Sequence, residues 1–359
     1  MEDVYRRLAI RLDEMPNGFP ATQSRVELKI LRKIFTPDEA EMALKMRTLP
    51  ETVEQVAERL GKPVPEIQTV LDTMAEKGQI GSFKMFGQQI YALFPFLPGI
   101  YEFQTERMDK ELAALWEEYY PTIITYLGSY GPHLIRPIPV SAEIKAEQQV
   151  LLYEDVRRMM EEAKCFQLTE CLCRNQMALV GKPCTHTLET CLMFSTEEDA
   201  FRKYTRGRLV SKEEALKVMA DAEQEGLVHL TVNVENNPIM FLCNCCPCCC
   251  IGLRGVKNFK APYMMANSGF MPLIDPESCS ACGICASERC PMDAIVEEQG
   301  TYRVLTERCI GCGVCAPTCP TGSITLVRRP ESDYGKPAAN LIEFDMMRAS
   351  GRGIAMKFD

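Results

Sequence analysis

Nineteen cysteines in 359 residues constrain this chain more than any other feature. None precedes Cys165; eleven fall between Cys165 and Cys250, and eight between Cys279 and Cys319. Runs such as CNCCPCCC are wrong for a disulfide framework, and nothing in the sequence sends the chain to an oxidising compartment. Thiolates packed this closely repel one another and oxidise readily unless a soft metal takes up their charge. Crowding of this kind in a reducing cytosol reads as metal binding, with iron–sulfur clusters and zinc as the two candidates.

The length suggests two or three domains, and a hydrophobic content of 46% with 25% charged residues describes an ordinary globular composition. A net charge of −9 argues against general nucleic-acid affinity, which needs clustered Lys and Arg. The opening residues are charged and helical in pattern, with no apolar core of a secretory signal. No stretch approaches the ~20 apolar residues of a membrane span, so the expected location is the cytoplasm.

Along the first hundred residues the pattern is helical and then extended. Amphipathic helices are expected over Gln23–Phe35 and from Pro37 to Leu44, the second capped by Thr36. Thr52 caps another, ended by Gly61. Pro63 and Pro65 open a further helix with apolar positions Ile67, Val70, Leu71 and Met74, ended by Gly78. The run QIGSFKMFGQQIYALF then reads as a hairpin around Gly87. This order resembles a winged-helix domain. The resemblance implies DNA recognition or, as the alternative, a packing module. Glu66, Asp72 and Glu76 oppose one Lys77 on the helix that would read DNA, the hairpin adds only Lys84, and residues 1–140 carry 16 Lys and Arg against 20 Asp and Glu. Such a surface lacks phosphate contacts, so the packing role is favoured.

A helix containing Trp116 and a proline-studded connector (GPHLIRPIPV) follow. A helix is expected from Glu143 to Ala163, leading into the first cysteine block, with Cys165 simply buried at its end. Ser211 and Glu214 form a capping box for a helix ending near Gly226. VHLTVNV and PIMFL read as strands. Beyond Arg329 the sequence shows little periodicity and is expected to be a partner-binding tail.

Residues 279–291 read CSACGICASERCP and residues 309–320 read CIGCGVCAPTCP. Each is C-x2-C-x2-C followed by a fourth cysteine and a proline; the first repeat carries four residues in its last gap where the second carries three. Three thiolates two residues apart let a tight loop wrap three corners of a cubane. The duplicated pattern resembles the two-cluster bacterial ferredoxins. That resemblance implies two [4Fe-4S] clusters, one held by Cys279, Cys282, Cys285 and Cys319, the other by Cys309, Cys312, Cys315 and Cys290, since the fourth ligand comes from the other repeat. Gly283 and Gly313 are expected to let the backbone pass close to a cluster. Strand-like FMPLID, AIVEE, TYRVL and SITLVRR frame the motifs, as in the ferredoxin-like α+β arrangement. Zinc fits two C-x2-C-x2-C…CP runs poorly.

Ten further cysteines form two blocks: Cys171, Cys173, Cys184 and Cys191, then Cys243, Cys245, Cys246, Cys248, Cys249 and Cys250. The CxCR and CNCC blocks resemble those of ferredoxin-like proteins of anaerobes, too loosely to assign roles. Neighbouring cysteines point in different directions, so CCC cannot serve one simple cubane without strain. One or two further iron–sulfur clusters, or one larger centre, are expected, with zinc at one block as the alternative. Arg174 and Lys182 could offset cluster charge, and His186 is expected to make a local hydrogen bond. The Met-rich loop PYMMANSGFMP reads as an apolar lid over a cluster.

The fold expected is multidomain α+β: a winged-helix-like domain (1–103), a helix and connector (104–142), a cysteine-rich metal-binding domain (143–260), a dicluster ferredoxin domain (261–330) and a tail (331–359). No dinucleotide fingerprint or phosphate loop is present, so no nucleotide cofactor is expected. The function expected is an electron-transfer protein or subunit of an oxidoreductase complex, passing low-potential electrons between a redox enzyme and a carrier. Two alternatives stand beside it: an oxidoreductase with a substrate-reducing special cluster in the central domain, and a redox-sensing transcription regulator. A redox protein or larger complex is the expected partner.

Overall fold

The computed structural model describes residues 3–140, 150–151, 154–237, 239–259 and 261–356. It mixes helix and sheet. The N-terminal part contains α1 (Val4–Asp13), α2 (Val26–Ile34), α3 (Pro37–Ala43), α4 (Val53–Leu60) and α5 (Val64–Glu76), then the hairpin β1 (Gly81–Met85) and β2 (Gln88–Ala92). Thr36 and Thr52 each close a reciprocal capping box, and Gly61 ends α4 in the left-handed conformation that costs glycine least.

The long helix α6 (Lys110–Leu127) runs through the middle of the largest apolar core with Trp116 fully buried. Tyr101 stacks on Trp116 at 3.8 Å between ring centroids. That core draws on α1 to α6, on Ile251 and Met264 from the central region, and on Phe344 from the tail, so the segments separated by sequence pattern share one interior.

The expected connector is in part a strand, β3 (Ile135–Ile138). It sits at the edge of a six-stranded antiparallel sheet ordered β3-β7-β8-β5-β4-β6, built with β4 (Cys165–Glu170), β5 (Glu189–Ser195), β6 (Arg208–Val210), β7 (Val228–Val232) and β8 (Ile239–Cys245). An edge is where a proline such as Pro137 fits, because its missing N–H leaves no inner ladder bond unmade. Three helices belong to this region: α7 (Val156–Glu162), α8 (Leu172–Leu179) and α9 (Lys212–Glu225), the last capped by Ser211 as its sequence requires. The first part of the helix expected from Glu143 lies outside the described residues. Cys165 is buried as expected, but it opens β4 where a helix end was expected.

The N-terminal helix–hairpin unit is docked on this sheet region. Asp72 of α5 takes hydrogen bonds from Tyr91 and Tyr204 and pairs with Lys203, while Arg206 donates to Ala75 O at 2.9 Å and Phe103 O at 3.2 Å. On the hairpin, Lys84 N donates to Ala200 O at 3.2 Å and Gly87 N to Glu197 Oε1 at 2.9 Å.

Helix α10 (Ile251–Phe259) precedes the C-terminal module, where β9 (Phe270–Ile274) pairs with β12 (Ile324–Arg328), and β10 (Ile295–Glu298) with β11 (Thr301–Val304), both antiparallel. Gln299 and Gly300 make the β10–β11 turn with positive φ, as a two-residue hairpin loop demands.

The tail departs from its expected form. Residues Leu341–Gly351 form α11, capped by Asn340, and the helix folds back onto α6 and α1. Its anchor is Arg348, fully buried and donating to the carbonyl oxygens of Leu127, Tyr130 and Pro132 and to Asn17 Oδ1. Arg352 donates to Asp13 O and Met15 O. A helix held by arginines to carbonyl oxygens has little apolar stripe for a periodicity search to find.

Candidate metal centres

The structure gathers eighteen cysteines into four groups, leaving only Cys165 apart in a small apolar cluster with Phe83 and Phe103.

In the C-terminal module, Cys279, Cys282, Cys285 and Cys319 line one hollow of about 300 Å³. Cys290, Cys309, Cys312 and Cys315 line another of about 310 Å³. Each hollow thus takes three thiols from one repeat and the fourth from the other. The extra residue in the first repeat is absorbed locally: Cys285–Arg289 makes a single π-type turn in which Cys290 N donates to Cys285 O at 3.0 Å. The same turn aims Arg289 at the carbonyl oxygens of Glu223 and Gln224, where α9 ends, and at Val314 O, tying the module to the sheet region.

The two hollows differ in setting. In the first, Cys282 is exposed and its three partners are half-buried. Ser323 Oγ lies 3.1 Å and Thr321 Oγ1 3.6 Å from Cys319 Sγ, and although burial works the other way these contacts bring that thiol down to about 7. In the second, Cys309, Cys312 and Cys315 are 8%, 8% and 6% exposed, and burial pushes the Cys312 thiol up to about 12. A buried set of thiols that resists ionisation in apolar surroundings suits a metal that neutralises the charge as it binds. Ala294 N donates to Cys290 Sγ at 3.2 Å.

The ten central cysteines separate into six and four. Six make a closed ring of neighbouring sulfurs in the order Cys171, Cys173, Cys250, Cys245, Cys243, Cys191 and back to Cys171. Cys171 caps α8 and Cys173 lies in its first turn; Cys191 comes from β5; Cys243 and Cys245 project from one face of β8 by the two-residue period; Cys250 immediately precedes α10. Hydrogen bonds from the sulfurs on either side hold Cys171, Cys243 and Cys250 below the ordinary thiol range, Cys243 at about 5; donating them pushes Cys173, Cys191 and Cys245 above it. Cys171, Cys245 and Cys250 are buried, and Cys173, Cys191 and Cys243 are half-buried. Among the described residues no three of the six sulfurs all come within 4.8 Å of one another.

Tyr101 is fully buried in the field of Cys173, and its hydroxyl has no hydrogen-bond partner among the described residues. A buried donor left unpaired is costly, and a sulfide-bearing group inside the ring would satisfy it. Glu102, also in the field of ring thiols, is pushed up to about 8, chiefly by burial and then by Cys243 and Cys250. No local sequence signal marked these two residues; Tyr101 stacks on Trp116 of α6, and the short helix opened by Glu102 packs against α8.

The other four, Cys184, Cys246, Cys248 and Cys249, have all their sulfurs within 4.8 Å of one another. The triple CCC is therefore divided: Cys248 and Cys249 face one group and Cys250 the other. Between the groups lies the buried Arg174, which donates to Thr187 O, Thr190 Oγ1 and Asn244 O. Burial opposes its charge, but Cys171 and Cys246 outweigh that and hold its pKa above the usual value. Lys182 is exposed. His186 Nδ1 is 2.7 Å from Glu225 Oε1, a partner 39 residues away at the end of α9 where a local one was expected. From the Met-rich loop, Met265 packs in one apolar cluster with Cys245, Cys250, Cys309 and Cys312, the position expected of a lid.

The C-terminal module is also where similarity to known proteins lies. A profile described as 4Fe-4S binding domain matches residues 302–325. Pyruvate synthase subunit PorD of Methanocaldococcus jannaschii is 40% identical over 60 residues, covering 16% of this chain and 69% of PorD. The chain belongs to the 4Fe-4S ferredoxin family through this module. Electron transport protein HydN of Escherichia coli K12 is 34% identical over 70 residues, 20% of this chain and 31% of HydN. A protein of Methanothermobacter thermautotrophicus is 45% identical over 53 residues, 14% of this chain and 11% of its own length. The chain thus spans a third or less of these last two relatives. Iron–sulfur chemistry and electron transport follow from this ferredoxin membership. No helix among the described residues is long and apolar enough to cross a membrane.

Proposed function

We propose that this chain moves electrons between a redox partner docked at its exposed ferredoxin site and an iron–sulfur centre held in the six-cysteine ring. The observation that carries this reading is continuity of packing. Cys285 and Cys315, one from each ferredoxin site, lie in one apolar cluster with Cys279, Cys290 and Cys319. Cys309 and Cys312 of the buried site share a second cluster with ring residues Cys245 and Cys250. Exposed site, buried site and ring therefore stand in sequence, with dry apolar contacts between them. In this reading Cys279, Cys282, Cys285 and Cys319 hold one [4Fe-4S] cluster, and Cys290, Cys309, Cys312 and Cys315 the other. These clusters supply one-electron storage. The half-exposed first site is the port for a redox protein or larger oxidoreductase complex, and the ring is the internal terminus.

The winged-helix-like unit is a packing module here. The contacts from Asp72, Lys84 and Gly87 to residues 197–204 support this, because they occupy the helix and hairpin that DNA would need.

A catalytic version of the same reading is favoured by Glu102. A carboxyl with a pKa of about 8 beside the ring is protonated at neutral pH and could deliver a proton with an electron to a substrate.

Anaerobic iron and sulfide quantification with EPR tests the proposal. More than about eight irons per chain, with a third reducible signal, is expected; about eight would confine the clusters to the ferredoxin module and remove the ring centre. Turnover of a small substrate, abolished in Glu102→Gln while the third signal persists, would select the catalytic version.

A further inference from the structure

The six-cysteine ring and the ferredoxin sites leave four central thiols without a task. We infer that Cys184, Cys246, Cys248 and Cys249 hold a single zinc ion in a closed tetrahedral site, separate from the iron–sulfur chain.

Size decides between one ion and a cluster. A metal–thiolate bond of about 2.3 Å places the four sulfurs of a tetrahedral site about 3.8 Å apart. The Cys248 and Cys249 sulfurs are 3.8 Å apart, and all four lie within 4.8 Å. In a cubane the same bonds radiate from four separate irons, which sets the thiolates roughly 6 Å apart. Among the described residues no three ferredoxin or ring cysteines meet the 4.8 Å span. The four-thiol group is thus compact where the other three groups are open.

Ligand chemistry and position point the same way. Four sulfur donors in a tetrahedron select zinc or a thiolate-bound iron, and four ligands leave no open position for a substrate or a water. Zn²⁺ replaces the four thiol protons, leaving a site of charge −2, and Arg174 lies beside Cys246 to offset it. The apolar cluster around Cys246 and Cys249 contains Met177, Ala222 and Leu227, with ring residue Cys173 packed against it and no ferredoxin cysteine, so the site adjoins the ring and not the ferredoxin module. A zinc ion there does structural work. It ties the turn at residues 246–249, which leads into ring residue Cys250, to the loop carrying Cys184. Both walls of the ring are thereby fixed, because Cys171 and Cys173 lie in the helix just before that loop and Cys191 in the strand just after it.

The test uses the full chain, purified anaerobically, with zinc and iron counted together. Wild type is expected to carry about one zinc per chain. Cys248→Ser, at the exposed corner, and Cys184→Ser are expected to lose it while the iron content and the ferredoxin EPR signals stay unchanged. Loading with cobalt in place of zinc is expected to give the intense d–d bands and thiolate charge transfer of a tetrahedral S4 site, a readout on wild-type protein that does not depend on a variant folding. Loss of about four irons from Cys248→Ser, loss of a single iron with no zinc present, or a Cys248–Cys249 disulfide in metal-free protein would each overturn the assignment. Iron counts report on the ring and zinc counts on this site, so failure of one does not imply failure of the other.

Discussion

The two ferredoxin sites are one motif in two surroundings. Both sites follow the same four-cysteine recipe, yet Cys282 of the first is exposed, whereas Cys309, Cys312 and Cys315 of the second are buried beside Pro272, Met292 and Ile310. The difference shows at the second residue after the first cysteine of each repeat. The exposed repeat has Ala281 there with φ 55°, and the buried repeat has Gly311 with φ 75°. A Cβ on Gly311 would stand 2.1 Å from Phe270 O and 2.3 Å from Ser268 Oγ. The loop conformation is shared, and the environment dictates which residue can adopt it. In the proposed reading the exposed site exchanges electrons with a partner and the buried site with the interior.

The largest expected effect comes from removing one thiol on each side. Cys312→Ser and Cys282→Ser should each lose about four irons. Only Cys312→Ser should also slow reduction of the remaining central centre by an external donor, by tenfold or more, and lower the melting temperature, because its hydroxyl is stranded in an apolar pocket. Equal effects from the two variants would break the distinction between port and relay.

Gly311→Ala should destabilise the protein by upwards of about 2 kcal/mol, combining left-handed strain with the collision at Phe270 O. Ala281→Gly should stay within about 1 kcal/mol of wild type, since relief of strain offsets the added freedom of the unfolded chain. Chemical denaturation of the two variants sharpens the comparison directly.

Air exposure monitored by EPR should bleach the first site several-fold faster than the second, following the accessibility of Cys282. The smallest effect is a change in potential. Ser323→Ala removes a hydroxyl contact to Cys319, and losing a donor to a cluster thiolate disfavours the reduced state. The potential of the exposed site should fall by on the order of 20–60 mV, with the buried site unmoved, in an EPR redox titration.

What the sequence made legible follows from how local each signal is. The caps at Thr36, Thr52 and Ser211 and the turns at Gly87 and Gln299–Gly300 are decided within four residues, and the elements stand where those signals place them, although at Ser211 only the Glu214 N–H to Ser211 half of the expected box forms. The division of the ferredoxin cysteines into two sets came from a duplicated spacing and a family resemblance. The six-and-four division of the central cysteines had no such source. It depends on β5 and β8 lying side by side and on Cys184 reaching across to Cys246, contacts 44 to 62 residues apart. The strain in CCC pointed only to two centres or one larger one, without saying which sulfur went where. Strand β3 was hidden by its prolines, and α11 by an anchor made of Arg348.

As proposed, the buried ferredoxin site and the six-cysteine ring are electronic neighbours. EPR of the fully reduced wild-type protein at low temperature tests it most directly. Further spin–spin splitting, beyond that between the two reduced ferredoxin clusters, that appears only when the third centre is reduced, together with more than about eight irons per chain, is the predicted result. A spectrum from the two ferredoxin clusters alone, integrating to two spins with about eight irons, would contradict it.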